Sequence, residues 1–238
     1  MADSKPVCMI TGVGEGTGGY TAKKFAKEGY RVAMLARSSD RLKRLEEELE
    51  GSKGYECDVS DLDLLVNTCK RIKKDMGAPQ VLIHNAVKGN FDNLLNGKAE
   101  WLEENFRINT TSLLYIAIEI VPDMLAAKKG VIIVTGNTAA KRGIAETPYF
   151  APTKAAQRIL AQSMARDFGP KGIHVAYLMV DASINTPWTR NRLERQKNKP
   201  DIFFAQPKDI ADEIYHIAHQ ERSAWSFDVE IRPDIEEW

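Results

Sequence analysis

The chain has 238 residues, enough for one large domain or two small ones. Its 33 Lys and Arg residues balance its 33 Asp and Glu residues, and this neutrality argues against a protein that binds nucleic acid. The three cysteines are too few and too irregularly spaced for a disulfide framework or a zinc site, so no metal is predicted. We find no secretory signal and no apolar run of about 18 residues, and we therefore expect a cytoplasmic protein without a membrane segment.

Short apolar runs alternate with longer amphipathic segments along the chain. The runs predict strands at 7–11, 31–36, 54–57, 81–84, 131–135, 174–179 and 227–231. Helical spacing covers 18–28, 39–50, 61–76, 100–128 (one helix or two), 151–168 and 208–220. This alternation predicts a three-layer, doubly wound α/β fold with a parallel sheet of about seven strands. We predict one domain over 1–238, in which the long irregular stretch at about 183–206 forms a lid.

A glycine-rich loop joins the first predicted strand to the first predicted helix. Gly12, Gly16 and Gly18 are its spaced glycines, with Gly14 and Thr17 between them. Glycines let the backbone turn tightly and approach an anion, and the start of the next helix offers free N–H groups. The loop therefore predicts a phosphate cradle of the Rossmann type. A glycine-rich turn without a ligand is the alternative.

The residues after the second and third strands bear on which dinucleotide is bound. No acidic residue follows the second strand, where an NAD-binding fold holds the ribose hydroxyls. Arg37 stands there instead, and its positive charge favours the 2′-phosphate of NADP(H) over NAD(H). Glu15 in the glycine loop disagrees, because its negative charge would repel that phosphate. The alternative for Arg37 is a solvated surface charge. Asp58 and Val59 are predicted to contact the adenine. The alternative for Asp58 is to cap a helix that starts near Ser60.

These motifs, in this order, resemble the short-chain dehydrogenase/reductase family over nearly the whole chain. The glycine loop is similar to the family's TGxxxGxG, and 84–87 (HNAV) is similar to its NNAG. Asn109 stands where the family has an Asn that braces the active-site helix. The resemblance implies a nicotinamide-dependent oxidoreductase that acts on a small carbonyl or alcohol and assembles as a homodimer or homotetramer. It also implies cofactor contacts by Asn85, Ala86, Lys154 and Thr186.

The chain departs from the family at its catalytic Ser, Tyr and Lys. Lys154 is present, but Phe150 stands at the Tyr position and Asn137 at the Ser position. The amide of Asn137 can still hold a substrate oxygen. If the helix begins near Ala151, Tyr149 lies in the loop before it and can supply the proton. Otherwise Tyr149 packs on the lid or at a subunit contact, and water is the proton source.

Two functions therefore remain open. The first is an NADP(H)-dependent oxidoreductase with an atypical active site, in which Asn109, Asn137, Tyr149 and Lys154 are the catalytic candidates. A missing general acid costs such an enzyme roughly 10²–10⁴-fold in rate. The second is a non-catalytic NADP(H)-binding sensor or partner subunit. The basic lid segment 187–200 suits an anionic substrate, or is a solvated surface.

Overall fold

A computed structural model of the protein describes residues 5–192 and 197–235. Its strands form one seven-stranded parallel sheet in the order β3-β2-β1-β4-β5-β6-β7. The predicted doubly wound α/β architecture is confirmed. The strands are β1 (Val7–Thr11), β2 (Arg31–Ala36), β3 (Lys53–Glu56), β4 (Val81–His84), β5 (Gly130–Gly136), β6 (Ile173–Val180) and β7 (Asp228–Ile231).

Helices cover both faces of this sheet. They are α1 (Thr17–Lys27), α2 (Ser39–Glu48), α3 (Leu62–Met76), α4 (Glu100–Phe106), α5 (Ser112–Ala127), α6 (Ala151–Phe168), α7 (Pro187–Arg192) and α8 (Pro207–Ala218). Apolar side chains of α1, α2 and α8 form a core on one face. Those of α3, α5 and α6 form a second core on the other face. Each helix buries one stripe and leaves the opposite side in water, which is the pattern that its spacing predicts.

The five inner strands, β1, β2, β4, β5 and β6, are mostly apolar because both of their faces are covered. Successive side chains of a strand point to opposite faces, so Met9 lies in one core while Cys8 and Ile10 lie in the other. In β4, Leu82 faces one core and Ile83 the other. This double burial explains why the inner strands are continuous apolar runs, whereas the last predicted strand, 227–231, alternates at the edge of the sheet.

The helical region at 100–128 is one continuous run of three parts. Helix α4 passes through a π-helical turn at Arg107–Thr111 into α5. By length and hydropathy the run Glu100–Ala127 is long and apolar enough to cross a membrane. A core helix of a globular protein passes the same test, and Leu113, Ile116 and Ile120 are fully buried against the sheet.

Candidate active site

The glycine loop packs tightly against the loop that follows β4. Gly12 has a φ of +67°, and a Cβ at this position would lie 2.7 Å from Cα of Ala86. A Cβ on Gly18 would lie 2.5 Å from the Gly12 carbonyl oxygen. Gly14 differs, because a Cβ there would meet no atom within 4 Å. The glycine loop is therefore packed against protein atoms at Gly12 and Gly18 and is open at Gly14, where a ligand can approach the backbone.

The start of α1 leaves polar groups without partners at this loop. Gly16 precedes the helix and offers no capping side chain, and no acidic residue stands in the first turn. Thr17 is 7% exposed, and its buried Oγ1 has no hydrogen-bond partner among the described residues. Buried polar groups in proteins are nearly always paired. An unpaired hydroxyl beside uncapped helix N–H groups fits the diphosphate of a dinucleotide.

Two arginines stand where the adenosine end of a dinucleotide would lie in this fold. Arg37 directly follows β2 and is exposed, and Arg41 lies one turn into α2. Arg41 Nη2 is 4.0 Å from Oε1 of Glu15 in the glycine loop. The carboxylate of Glu15 therefore lies beside Arg41, and its side chain is 60% exposed.

Asp58 makes a local turn and does not cap a helix. Its Oδ1 accepts from the Ser60 N–H at 2.9 Å and from the Ser60 Oγ at 2.7 Å. Burial raises the pKa of Asp58, but the hydrogen bonds from Ser60 and the charge of Arg37 outweigh burial and hold the pKa below its ordinary value. Asp61 caps α3 instead, through the N–H of Leu64 at 3.0 Å. The capping alternative for Asp58 is thus wrong. Val59 packs its side chain into the core, which leaves its main chain for a ligand.

Asn85 and Ala86 brace the ends of three strands beneath the glycine loop. Both backbone N–H groups donate to Thr11 Oγ1 at 3.1 Å. Asn85 Nδ2 donates to the Gly12 carbonyl at 3.0 Å, and its Oδ1 accepts from Thr135 Oγ1 at 3.1 Å. The side chain of Asn85 is thus used to position the loop.

His84 is a buried residue of this region that the sequence analysis did not single out. It is fully buried, and its Nδ1 lies 3.3 Å from Thr11 Oγ1. Burial, together with the charge of Lys154, lowers the pKa of His84 to about 3. The ring is therefore neutral at physiological pH. The signal for it was a polar residue at the end of an otherwise apolar strand.

Lys154 lies inside the fold at the base of the active-site helix. It is 1% exposed, and its Nζ donates to the Thr135 carbonyl at 3.1 Å and to Oε1 of Gln157. Burial lowers the pKa of Lys154 to about 7. An ammonium has three donors, so one remains for a further acceptor such as a ribose hydroxyl.

Gln157 links Lys154 to Asn109 and was also not singled out from the sequence. Its Nε2 donates to the Asn109 carbonyl at 2.5 Å, while its Oε1 accepts from Lys154. Asn109 Nδ2 donates to Thr153 Oγ1 at 2.8 Å and to the Lys88 carbonyl at 2.9 Å. The contact between Asn109 and the active-site helix that the resemblance implies is therefore present. The π-helical turn positions Asn109 for this contact.

A cavity of about 1030 Å³ opens beside these residues, and Asn137 and Phe150 line it. Oδ1 of Asn137 accepts from the Ala139 N–H at 3.2 Å, and its Nδ2 has no partner among the described residues. Phe150 is 4% exposed, and its ring packs on that of Phe91 with centroids 5.0 Å apart. The cavity thus offers an amide donor at the usual serine position and an apolar ring at the usual tyrosine position.

The proposed proton donor Tyr149 faces away from this cavity. Helix α6 begins at Ala151 as predicted, so Tyr149 does lie before it. Its hydroxyl, however, donates to the Leu94 carbonyl at 2.6 Å, and its ring packs edge-to-face on Trp101. A Cβ on Gly97 would lie 2.2 Å from this ring. Tyr149 is not among the described residues that line the cavity, and we correct its assignment: it fixes the 85–99 loop.

Thr186 connects the lid to the glycine loop. The ends of the predicted lid meet where Ile184 pairs with Ala205. Thr186 Oγ1 accepts from the Thr189 N–H at 3.1 Å, and its Cγ2 is 2.8 Å from where a Cβ on Gly16 would stand. Thr186 therefore lies at the glycine loop, at the position that the resemblance implies for a cofactor contact.

Part of the positive charge of the lid is used within the lid. Arg190 donates to Oδ1 of Asn185 at 2.7 Å and forms an ion pair with Asp201. Its guanidinium also stacks on Phe204, 4.2 Å from the ring centroid. Lys199 lines the cavity, with its Nζ 5.1 Å from the centroid of Phe203. Residues 193–196, which include Arg195 and Glu194, lie outside the described residues.

Neither metal ligands nor disulfides are found near the site. Within 5–192 and 197–235, no group of three or more His, Cys, Asp or Glu residues could hold a metal ion. Cys8, Cys57 and Cys69 are free and buried. The site therefore consists of the glycine loop, the buried Lys154 network and the aromatic cavity.

Comparison with known proteins identifies the family and supports the fold. The family model described as short chain dehydrogenase matches residues 6–197. The 3-oxoacyl-acyl-carrier-protein reductase FabG of Buchnera aphidicola is 26% identical over 226 residues, which cover 92% of each chain. A metagenomic short-chain oxidoreductase in complex with NADP superposes with a TM-score of 0.83 at 24% identity, covering 97% of this chain and 98% of that one. An alcohol dehydrogenase from the archaeon Thermococcus sibiricus, complexed with 5-hydroxy-NADP, gives 0.86 at 23% identity, covering 98% of both chains. The chain belongs to the short-chain dehydrogenase/reductase family.

Proposed function

We propose that this chain binds NADP(H) and transfers hydride between the nicotinamide and a small carbonyl or alcohol substrate, in an atypical active site. The observation that carries the proposal is the unpaired Thr17 hydroxyl at the uncapped start of α1, beside a glycine loop and a cavity. Members of the family are oxidoreductases that use a nicotinamide cofactor. We further propose a cytoplasmic homo-oligomer of single-domain chains.

The residues near the second strand support NADP(H) over NAD(H). Arg37 is exposed after β2, and Arg41 stands one turn into α2. Two guanidinium groups suit the doubly charged 2′-phosphate, and no carboxylate follows β2 to hold a ribose 2′-hydroxyl. Two structural neighbours were solved with NADP or a hydroxylated NADP.

Each side chain of this site has a different role in hydride transfer. NADPH, when bound, supplies the hydride at its nicotinamide ring. The remaining donor of Lys154 is available to the ribose, and Gln157 and Thr135 hold the ammonium in place. Asn137 donates its Nδ2–H to the substrate oxygen and so stabilises developing negative charge. Phe150 gives no proton, so water protonates the product.

The non-catalytic alternative rests on a specific observation. Phe150 fills the usual tyrosine position and packs on Phe91, while the neighbouring hydroxyl of Tyr149 is held by Leu94. A sensor or partner subunit needs the glycine loop and Lys154 but no general acid. Binding of NADPH without turnover is the result that this alternative predicts.

Cofactor binding and hydride transfer are tested separately. We expect NADPH to bind more tightly than NADH in isothermal titration calorimetry, and Arg37→Ala to narrow that difference by about tenfold. Lys43→Ala, which removes an exposed positive charge on α2, is the control. NADPH oxidation is then followed with aldehydes, ketones, enones and quinones. Absence of NADPH binding contradicts the whole proposal, whereas binding without hydride transfer favours the sensor or partner subunit.

A further inference from the structure

Four aromatic side chains are among the described residues that line the cavity. The rings of Phe91 and Phe150 lie 5.0 Å apart at 54°, and Phe203 and Trp188 line the lid side. Gly89 makes room for this pair, because a Cβ there would lie 2.6 Å from the Phe91 ring. Aromatic faces pack well on other flat π-systems. A volume of about 1030 Å³ accommodates a planar ring beside a nicotinamide.

The described lining residues include one carboxylate, that of Asp181, which pairs with Arg232 at 3.5 Å, and no phenol. The hydroxyls among them belong to Ser and Thr, which do not ionise near neutral pH. Thr147 Oγ1 is bonded to the Ile144 carbonyl at 3.1 Å, and Thr189 Oγ1 to Thr186 at 2.8 Å. The free Nδ2–H of Asn137 stabilises an oxyanion without giving up its proton. Arg142 and Lys199 add positive charge at the rim.

Such a site discriminates between carbonyl substrates by the stability of the anion that hydride addition produces. An isolated ketone becomes an alkoxide, a strong base whose conjugate alcohol has a pKa far above neutral pH. Its reduction therefore needs a proton in the transition state. A conjugated carbonyl becomes an enolate or a phenolate, and a phenol has a pKa of about 10. This delocalised anion is stable enough to form against an amide donor and nearby cations.

We propose, on the basis of the proposed function, that the substrate is a cyclic conjugated carbonyl compound, an enone or a quinone. In the enone, the β-carbon gains a C–H bond by accepting hydride, the C=C electron pair forms a new double bond between the α-carbon and the carbonyl carbon, and the C=O electron pair moves to oxygen. The dihydronicotinamide of NADPH is the reductant and is oxidised to the nicotinamide cation. The oxyanion forms at Asn137 Nδ2, and water then protonates the α-carbon. In the quinone, hydride is accepted at one carbonyl oxygen, the ring electrons rearrange to the aromatic hydroquinone, and the other oxygen becomes the anion, which water protonates.

Matched substrate pairs test the inference with the native chain and Phe150→Tyr. The pairs are 2-cyclohexenone with cyclohexanone, and 1,4-naphthoquinone with 1-tetralone, each with NADPH as reductant. We expect the native chain to reduce each conjugated member at least about 100-fold faster than its partner. Phe150→Tyr restores an acid, so it raises the rates of the two ketones by about 100-fold and those of the conjugated compounds by less than about tenfold.

Two further variants and one isotope measurement keep the inference falsifiable if Phe150→Tyr does not fold. Tyr149→Phe removes the neighbouring phenol together with its bond to the Leu94 carbonyl, and Lys199→Met removes one of the cations that line the cavity. We expect each variant to lower turnover of the conjugated compounds by less than about tenfold, whereas a loss of about 100-fold or more at unchanged NADPH binding would identify an acid and overturn the inference. We expect a solvent deuterium isotope effect near 1 with the enone, whereas an effect of about 2 or more means proton transfer in the transition state.

The remaining outcomes are also decisive. Equal acceleration of both members of a pair by Phe150→Tyr contradicts the substrate class, and so does comparable reduction of both members by the native chain. If NADPH binds but neither conjugated compound is reduced, the substrate class is wrong while cofactor binding stands. If NADPH does not bind, the proposed function itself fails.

Discussion

The ammonium of Lys154 is held by two acceptors in a site that water does not reach. Burial lowers the pKa of Lys154 from 10.5 to about 7, so the charged form is the unfavourable one in the folded state. Between pH 7 and 10.5 the unfolded chain binds a proton here that the folded chain does not. The destabilisation is full below pH 7 and disappears as the pH rises to 10.5.

Lys154→Met therefore changes the pH dependence of stability in a defined direction. We expect the free energy of unfolding of the native chain to rise relative to Lys154→Met between pH 7 and 10, by up to about 1.4 kcal/mol per pH unit. Urea denaturation at pH 7, 8, 9 and 10 measures the difference. Lys70→Met, an exposed helix position, is the control. If the free energies of unfolding of the native chain and of Lys154→Met change in parallel with pH, the lowered pKa of the buried Lys154 is contradicted.

His84 makes the stability of the folded chain depend on pH in the acidic range. Burial and the charge of Lys154 lower its pKa from 6.5 to about 3, so the folded chain does not take up the proton that the unfolded chain takes up below pH 6.5. Stability contributed by the neutral ring is lost as the pH falls from 6.5 to 3. We expect the thermal midpoint of His84→Asn to fall less steeply than that of the native chain as the pH is lowered from 6.5 to 3. His216→Asn, an exposed change, keeps the native slope, and a native slope for His84→Asn would contradict the account.

Individual side chains were the hardest level to predict from the sequence. The spacing of Lys154 and Phe150 along α6 predicts that they lie one helical turn apart, and the altered catalytic site that includes Asn137 stays a prediction. The direction of Tyr149 was not predictable, since it depends on contacts with Leu94 and Gly97, which lie more than 50 residues earlier. Gln157 was missed because a polar residue on a helix is ordinarily a solvent-facing one.

At the scale of elements, the glycine loop distinguishes a glycine required by the backbone from one required by a ligand. Gly12→Ala places a Cβ at positive φ and 2.7 Å from main-chain atoms of Ala86, which cannot move away. We expect it to lower stability by more than about 1 kcal/mol and to abolish NADPH binding. Gly14→Ala meets no atom within 4 Å, so we expect a change in stability within about 0.5 kcal/mol.

Thermal denaturation and NADPH titration of the two variants make this comparison. A similar loss of stability in Gly14→Ala would show that the loop is strained throughout. Weaker NADPH binding by Gly14→Ala at unchanged stability would locate the ligand on its open side. Each variant thus serves as the control for the other.

The bounds of most elements were predictable because they follow from local signals. Strands β1, β2 and β4 begin and end where their apolar runs do, and α6 starts at Ala151 because Pro152 suits only the first turn. The π-helical turn at Arg107–Thr111 was not predictable. The turn shifts the backbone hydrogen bonds of the helix by one residue, while the helical spacing of the sequence continues without a break. Its consequence is the position of Asn109, which only the three-dimensional structure shows.

At the scale of the whole molecule, the alternation of runs predicted the layered topology. Parallel strands need crossover connections, and right-handed crossovers leave few strand orders. The order found reverses direction at β1 and β4, and the glycine loop and the 85–99 loop follow these two strands. This switch point is where doubly wound sheets bind their ligands. The position of the site was therefore predictable from topology, whereas the aromatic character of its cavity depends on how the lid and the 85–99 loop pack.

Apolar side chains on α5 and α6 remain exposed in the isolated chain. Ile118 is 60% exposed and Leu114 41% exposed on α5, and Ile159 on α6 is 54% exposed. Members of this family commonly associate through these helices. Covering Ile118 in a twofold interface removes its side chain from water in both copies, and each burial contributes roughly 1.5–3 kcal/mol. We therefore expect the native chain to be a dimer or tetramer.

Ile118→Lys tests this surface by light scattering coupled to size-exclusion chromatography. We expect the variant to lose the native mass and elute as a monomer, because each interface would bury two unpaired ammonium groups. Leu95→Lys makes a similar change of charge at a side chain that is 94% exposed in the 85–99 loop, and it should keep the native mass. A monomeric native chain, or an Ile118→Lys variant with unchanged mass, contradicts association through α5. Monomers that still bind NADPH would further show that each chain forms a complete cofactor site.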